Sequence, residues 1–197
     1  MKKKHMKNKK SYWKGGKMII ETLVAGMIIL TPVDDIKAWE TEQAKLKEVE
    51  CLAKNMYYEA RNQGTAGKLA VTNVVLNRLK DKRFPNTICG VVKQGPTRES
   101  WKTKKDKNLP DEERIFYPIR HKCQFSWYCD GDSDEPKNEE KYQEAYLLSL
   151  TIVDKKFHLI DITDGALFYH ADYVKPSWAR TKHRTTEIGD HIFYTWD

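Results

Sequence analysis

Residues 51–64 carry a helical pattern that includes one acid, Glu59, and this segment constrains the fold of the 197-residue chain most. One face of the predicted helix is formed by Leu52, Met56, Glu59, Ala60 and Gln63. Burial disfavours the charged form of a carboxyl group and raises its pKa, so a partly buried acid can remain protonated near neutral pH and donate a proton. Glu59 is therefore the candidate catalytic acid. The alternative is an acid at the edge of the face that only pairs with Arg61 or Lys54.

A second helix is predicted directly after the first. Gly64 ends the first helix, and Thr65 is a suitable N-cap for the next one. Residues 68–79 are apolar around much of the helix circumference, which indicates a buried helix that packs back on the first as a hairpin. Within it, Asn77 and Arg78 are expected to brace the helix of Glu59 rather than to touch a substrate.

The rest of the chain predicts further helices and then a small sheet. A short helix or strand is expected within residues 83–92, a long exposed loop over 94–114, and an amphipathic helix over 139–153. Two strand-like runs follow, at residues 166–170 and 191–195, the second after the turn signal Ile188-Gly-Asp190. Helices first with a small C-terminal β element predict the α+β class.

The charge of the chain is concentrated at its start. The formal net charge is +7, but eight lysines lie within residues 1–17, and the remainder holds 27 basic and 28 acidic residues. A nucleic-acid-binding domain usually carries its excess of basic residues on the folded body. The composition therefore argues against a nucleic-acid partner and indicates that the basic block serves targeting.

An apolar run over residues 18–33 follows the lysines and is interrupted by Glu21 and Gly26. A basic region before a short apolar run is typical of an export signal, whereas a stable membrane-spanning helix needs about 20 apolar residues. We expect either a signal peptide cleaved after Ala38 or a weak signal anchor in the inner membrane. Residues 34–45 are then interpreted as a linker or a short helix start, and 46–197 as the catalytic domain, exported to the periplasm or cell wall.

The four cysteines of the chain are an even set beyond an export signal. They are Cys51, Cys89, Cys123 and Cys129. Disulfides are plausible in an exported protein, and three complete pairings are possible. A zinc site is the alternative, but the cysteines form no C-x-x-C motif. The acidic turn at residues 130–136 lacks the spacing of an EF-hand loop, so we interpret it as a solvated loop.

Eight short motifs, in this order, resemble those of the cell wall hydrolase family typified by the SleB and CwlJ spore cortex-lytic enzymes. They are YEAR at 58–61, GxxAV at 67–71, VLNR at 75–78, FPNTICGV at 84–91, QFSW at 124–127, ALFYH at 166–170, PxW at 176–178 and IGDHIF at 188–193. The resemblance spans about residues 46–196. It implies a lysozyme-like or lytic-transglycosylase-like fold and a peptidoglycan hydrolase that acts on the glycan strand.

The resemblance also implies roles for individual residues. The glutamate that matches Glu59 is the family's catalytic acid. A substrate-binding role is expected for Tyr58, Gln124, Ser126, Trp127, Tyr169 and His170. Family members commonly continue the first motif as Glu-Ala-Arg-Gly-Glu, whereas this chain has Asn62 and Gln63. A two-carboxylate glycosidase would lack its second acid here unless a distant one such as Asp172 reached the site, so the sequence favours transglycosylation, which needs one acid.

Two other functions are alternatives to this one. Loss of the second acid would permit a non-catalytic wall-binding module. A metal-dependent amidase would need metal ligands, but the spacing of His170, Asp172, His183, Asp190 and His191 matches no common metal motif. We expect no cofactor and a monomer whose partners are peptidoglycan and, through its N-terminal segment, the inner membrane. That segment also resembles the arrangement in signal-arrest-release endolysins, so a phage endolysin is a further possibility.

Overall fold

The computed structural model of this chain describes residues 33–154 and 159–196. Both N-terminal predictions, the basic region 1–17 and the signal segment 18–33, lie outside these residues apart from Val33. Within the described part of the chain, no helix is both long and apolar enough to span a membrane.

Five α-helices and five short strands form the described structure. The helices are α1 (Val33–Ala60), α2 (Thr65–Lys80), α3 (Ile88–Val92), α4 (Trp101–Lys104) and α5 (Glu139–Val153). The strands are β1 (Thr97–Glu99), β2 (Phe116–Pro118), β3 (Phe168–Ala171), β4 (His183–Ile188) and β5 (His191–Thr195). Single-turn 3₁₀ helices occur at Asp111–Glu113, Ser126–Cys129 and Ser177–Thr181. The predicted α+β class, helices first and a small C-terminal sheet, is confirmed.

Helix α1 forms the centre of the core. Its side chains at Val49, Leu52 and Met56 are fully buried, as the predicted apolar stripe requires. The Tyr57 hydroxyl accepts hydrogen bonds from the backbone N–H groups of Lys137 and Asn138, at 3.1 and 3.0 Å, and so holds the start of α5 against α1. The core therefore fixes the helix that carries Glu59 from several sides.

Helix α1 begins earlier than the sequence pattern indicated. Residues 34–45, interpreted as a linker or a short helix start, belong to α1, which runs without interruption from Val33. Residues 34–45 contain neither glycine nor proline, and Lys45 pairs with Asp154 at the end of α5. The N-cap of α2 is also one residue earlier than expected, at Gly64 instead of Thr65.

The region predicted to be a long loop, 94–114, is partly structured. Strand β1 pairs with β2 in an antiparallel two-stranded sheet, and α4 lies between them. Arg114 binds Glu99 at 2.8 Å and closes this hairpin. The sequence did not predict these elements, because the region is polar and rich in lysine and each element is only three or four residues long.

The C-terminal sheet has the strand order β3-β5-β4, and both pairings are antiparallel. The predicted runs correspond to β3 and β5, whereas β4 was not predicted, since its sequence HRTTEI has little apolar character. The turn between β4 and β5 contains Gly189, whose φ of +58° lies in the left-handed region.

Two disulfides are present, as expected. Cys51–Cys89 joins α1 to α3, and Cys123–Cys129 closes a short loop around residues 124–128. The motif QFSW lies within this loop, with Phe125 and Trp127 buried in the core and Gln124 and Ser126 exposed.

Candidate active site

A cleft of about 720 Å³ lies where the end of α1 faces the C-terminal sheet. Its walls come from α1, α2, the 3₁₀ turn Ser126–Cys129, and strands β3 and β5. All seven site residues proposed from the sequence line it: Tyr58, Glu59, Gln124, Ser126, Trp127, Tyr169 and His170. These seven residues come from three separate parts of the chain, α1, residues 124–127 and β3, which the fold brings together.

Glu59 lies in the last turn of α1 and is partly buried. The Tyr169 hydroxyl donates a hydrogen bond of 2.9 Å to its Oε2. Burial raises the pKa of the Glu59 carboxyl above its usual value, while the hydrogen bond from Tyr169 and the positive charge of Arg78 act in the opposite direction. Glu59 is therefore an acid whose proton is retained towards neutral pH but can still be released.

Tyr169 on β3 positions the carboxyl group of Glu59. Burial raises the pKa of the Tyr169 phenol well above its ordinary value, and the neighbouring Glu59 adds to this effect. Its ring packs against those of His191 and Phe193, with centroids 5.1 and 5.6 Å away. The Tyr169 hydroxyl thus keeps its proton at neutral pH and donates a hydrogen bond to Glu59 from a ring that its neighbours hold in place.

Arg78 on α2 also lines the cleft, and it was not assigned to the site from the sequence. Its Nε donates to the Leu167 carbonyl at 2.8 Å, and its guanidinium lies 5.1, 5.3 and 5.7 Å from the rings of Phe84, Phe125 and Phe168. Its Nη1 has no hydrogen-bond partner among residues 33–154 and 159–196. Burial lowers the pKa of Arg78 to about 10, so it stays charged beside Glu59 at neutral pH.

The expected bracing role of Asn77 and Arg78 was only partly right. Both residues tie α2 to the segment that leads into β3: Asn77 Nδ2 donates to Asp161 Oδ2 and the Ala166 carbonyl, at 2.8 and 3.2 Å. Neither side chain forms a hydrogen bond to α1 in the described structure. An arginine within an otherwise apolar helix was the signal for a special role, because a buried charge is costly unless something compensates it.

Aromatic rings form the wall of the cleft next to Glu59. Tyr58 stacks on Trp127 with ring centroids 4.7 Å apart and an angle of 13° between the planes. Trp127 Nε1 donates to Asn55 Oδ1 at 3.2 Å, which fixes the indole ring. Gln124 and Ser126 are exposed beside this stack and leave their polar groups free to meet a ligand. Rings with polar groups at their edges suit a sugar, which has apolar faces and hydroxyl edges.

Two histidines lie on the sheet side of the cleft. Both ring nitrogens of His170 are engaged, Nδ1 with the Ala171 carbonyl at 2.8 Å and Nε2 with the Tyr194 hydroxyl at 3.0 Å. His191 is buried, and burial lowers the pKa of its imidazole, so it is neutral at neutral pH. Its Nδ1 has no hydrogen-bond partner in the described part of the chain.

Glu59 supplies the only carboxylate among the described residues that line the cleft. Asp172, the distant acid considered from the sequence, is not among them. Asp190 and Gln63 both line a recess of about 190 Å³ next to Glu59, and they bind each other: Gln63 Nε2 donates to Asp190 Oδ2 at 2.6 Å, and Asp190 N–H donates to Gln63 Oε1 at 3.2 Å. The residue that departs from the family pattern thus binds an acid that borders the same recess as Glu59.

Histidine, cysteine and acidic side chains do not gather anywhere in the described structure in a group of three or more that could hold a metal ion. His170, Asp172, His183, Asp190 and His191, considered as metal ligands from the sequence, accordingly do not form such a group.

Both the sequence and the fold of this chain are similar to those of known proteins. A family described as Cell Wall Hydrolase matches residues 62–194. The spore cortex-lytic enzyme of Bacillus subtilis (strain 168) is 40% identical over 147 residues, which cover 74% of this chain and 37% of that protein. The corresponding enzyme of Oceanobacillus iheyensis is 27% identical over 147 residues, 74% of this chain and 41% of that protein. The chain thus spans about two fifths of the length of these relatives.

Two solved structures are similar to this chain. The catalytic domain of the Bacillus cereus SleB protein has 26% identity and a TM-score of 0.46, with 75% of this chain and 89% of that one covered. The catalytic domain of the germination-specific lytic transglycosylase SleB from Bacillus anthracis has 25% identity and a TM-score of 0.48, with 75% and 93% covered.

Proposed function

This chain belongs to the cell wall hydrolase family, and we propose that it cleaves the glycan strand of peptidoglycan as a lytic transglycosylase. The bond cleaved is the one between N-acetylmuramic acid and N-acetylglucosamine. One observation carries the proposal: among the described residues that line a cleft with aromatic walls, a single carboxyl group is present, that of Glu59, and its pKa is raised. The family match begins at Asn62, so the role of Glu59 rests on the geometry of the cleft and not on the match.

The reaction needs one group that first gives and then takes a proton. Protonated Glu59 donates its proton to the glycosidic oxygen, and the bond from that oxygen to C1 of the muramic acid breaks. The carboxylate of Glu59 then removes the proton from the C6 hydroxyl of the same sugar. The C6 oxygen attacks C1, closes a 1,6-anhydro ring, and leaves Glu59 protonated again.

The neighbours of Glu59 suit both halves of this cycle. Burial favours the protonated acid that begins the reaction. The hydrogen bond from Tyr169 and the charge of Arg78 stabilise the carboxylate that exists between the two proton transfers. The described lining of the cleft has no second carboxylate that could activate a water molecule. This composition favours ring closure over hydrolysis.

Mass spectrometry of the soluble fragments released from purified walls tests the reaction. Fragments that end in 1,6-anhydromuramic acid are expected; reducing-end muramic acid alone would mean hydrolysis. Glu59→Gln should retain the fold and lose activity by at least about 10²-fold, because general acid catalysis contributes that much or more. Glu140→Gln, a change of an exposed glutamate on α5, is the matched control. A Glu59→Gln variant with a tenth of the wild-type rate would refute the assignment, and sensitivity to chelators would favour an amidase.

A further inference from the structure

A second groove, of about 700 Å³, adjoins the cleft on the other side of Trp127. Trp127 lines both spaces, so the stacked pair Tyr58–Trp127 separates them. The groove runs along the outer face of α1 and is bounded opposite by α3 and by Tyr128. The mechanism proposed above uses none of its other side chains.

Charges of both signs line this groove and are only partly paired with one another. Lys54 is paired with Glu50 and Glu135, at 3.1 and 3.6 Å. In contrast, Lys47 and Lys93 are exposed and form no ion pair with any residue in the described ranges. Lys93 lies over the ring of Tyr128, with Nζ 5.8 Å from its centroid. Two free ammonium groups thus face the same groove.

Four carboxylates of the described residues line the groove. Glu50 pairs with Lys54, Glu48 accepts hydrogen bonds from the backbone N–H groups of Ile88 and Cys89, and Glu40 lies beside Trp39, away from Trp127. Asp134 is partly buried and has no ion-pair partner within 4.0 Å in the part of the chain described here. Burial raises the pKa of its carboxyl group, while the charges of Lys54 and Lys93 lower it. A ligand that carries carboxylates together with a free amine would find a complementary group for each charge.

We propose that this groove binds the peptide branch of peptidoglycan. The inference rests on the proposed function, because the branch is attached through the lactyl ether at C3 of the same muramic acid whose C1 bond would be cleaved beside Glu59. The branch is a short acidic peptide with one free side-chain amine when it is not cross-linked. Lys47 and Lys93 bind its carboxylates, and Asp134 binds the amine.

The length of the groove agrees with that of a peptide of about four residues. Trp127 contacts α1 at Asn55, and Lys47 lies eight residues earlier on the helix, or about 12 Å at 1.5 Å per residue. Four extended peptide residues span about 13–14 Å. Trp39, at the far end of the groove, is about 24 Å from Asn55 by the same rise and lies beyond their reach.

Two substrates separate binding of the peptide from cleavage of the glycan. They are glycan strands that carry their peptides and the same strands after an amidase has removed them. In Lys93→Ala and Lys47→Ala, kcat/KM on peptide-bearing strands relative to bare strands should fall about fivefold, the effect of losing one or two accessible ion pairs. Lys107→Ala, a change of an exposed lysine outside the groove, is the control and should keep the wild-type ratio.

Direct binding gives the second readout and requires no cleavage. The free tripeptide L-Ala-γ-D-Glu-meso-diaminopimelate should bind the full-length wild type in an NMR titration and bind Lys93→Ala at least about fivefold more weakly. An unchanged kcat/KM ratio, or tripeptide binding that is absent or insensitive to both lysines, overturns the inference. If Trp39→Ala lowers the kcat/KM ratio as much as Lys93→Ala does, the occupant is a longer strand and the proposal is wrong. Inactivity towards both substrates counts against the proposed function instead.

Discussion

At the scale of single residues, two groups lower the pKa of Glu59 and so oppose the effect of its burial, which raises it. Tyr169 donates a hydrogen bond to the carboxyl group, and Arg78 contributes a positive charge within an apolar enclosure. Both favour the carboxylate, whereas burial favours the acid. The pH at which the enzyme works should therefore respond to each of them in a predictable direction.

Tyr169→Phe should shift the activity of the enzyme to higher pH. The acid must be protonated to begin the reaction, so activity falls as the pH rises through the pKa of Glu59. Removal of the hydroxyl deletes an effect that lowers this pKa, and the alkaline limb of the pH–rate profile should move upwards. The maximal rate should also fall, because the carboxyl group loses the hydrogen bond that orients it. A shift of the alkaline limb to lower pH in Tyr169→Phe would contradict this account.

Arg78 offers a matched pair of substitutions. Arg78→Met removes the charge and should raise the pKa of Glu59, so the alkaline limb should move upwards as in Tyr169→Phe. Arg78→Lys keeps the positive charge but loses the guanidinium group that donates a hydrogen bond to the Leu167 carbonyl. The alkaline limb of its pH–rate profile should therefore stay close to that of the wild type. Circular dichroism of both variants checks the fold. Equal shifts in the two variants would mean that Arg78 acts through structure and not through its charge.

The sequence predicted the members of the cleft better than their contacts. Glu59 stood out because it interrupts an apolar stripe, and the other six candidates followed from the resemblance of short motifs; all seven line one cleft. Arg78 was missed as a lining residue because helical periodicity shows that a residue is buried but not which strand it faces. The pairing of Gln63 with Asp190 joins residues 127 positions apart, and no local pattern contains it.

At the scale of elements, long periodic segments were predicted well and short ones were not. The amphipathic pattern of 139–153 coincides with α5, and the buried pattern of 68–79 lies within α2. Strands β1 and β4 have few apolar residues, and β2 is only three residues long; they form because a partner strand supplies their hydrogen bonds. Pairing partners distant in sequence cannot be recognised from the alternation of side chains alone.

The disulfides connect elements, and their effects on stability should differ. Cys51–Cys89 closes a separation of 38 residues and Cys123–Cys129 one of 6. Loop entropy predicts a stabilisation of about 4 kcal/mol for the first and about 2 kcal/mol for the second. Replacing each pair by serine and measuring unfolding in urea should therefore show the larger loss for Cys51→Ser/Cys89→Ser. Four free thiols in the denatured, unreduced protein would contradict both bonds.

At the scale of the whole molecule, the distribution of charge separates the folded body from the start of the chain. Eight lysines in residues 1–17 precede an apolar run, and we expect these lysines to remain on the cytoplasmic side. The described domain begins within α1, whose first turns project from the core: residues 37–42 are exposed. Among the residues whose burial is described, cleavage after Ala38 would remove only Lys37 and Ala38, which are both exposed. The described fold is therefore compatible with a cleaved and with an uncut segment.

The N-terminal segment should carry the domain across the inner membrane, and Glu21 decides how long it remains there. An acid within a membrane-spanning run costs about 2.5–3.5 kcal/mol on insertion scales, so an uncut segment with Glu21 and Gly26 should leave the bilayer in time. Glu21→Leu removes this cost and should prolong retention in the membrane fraction, whereas Glu42→Leu, on the exposed start of α1, should not. Cell fractionation with N-terminal sequencing distinguishes a chain that begins at Trp39 from a full-length one. Full-length protein confined to the cytoplasm while the wall is being degraded would overturn both routes, because peptidoglycan lies outside that membrane.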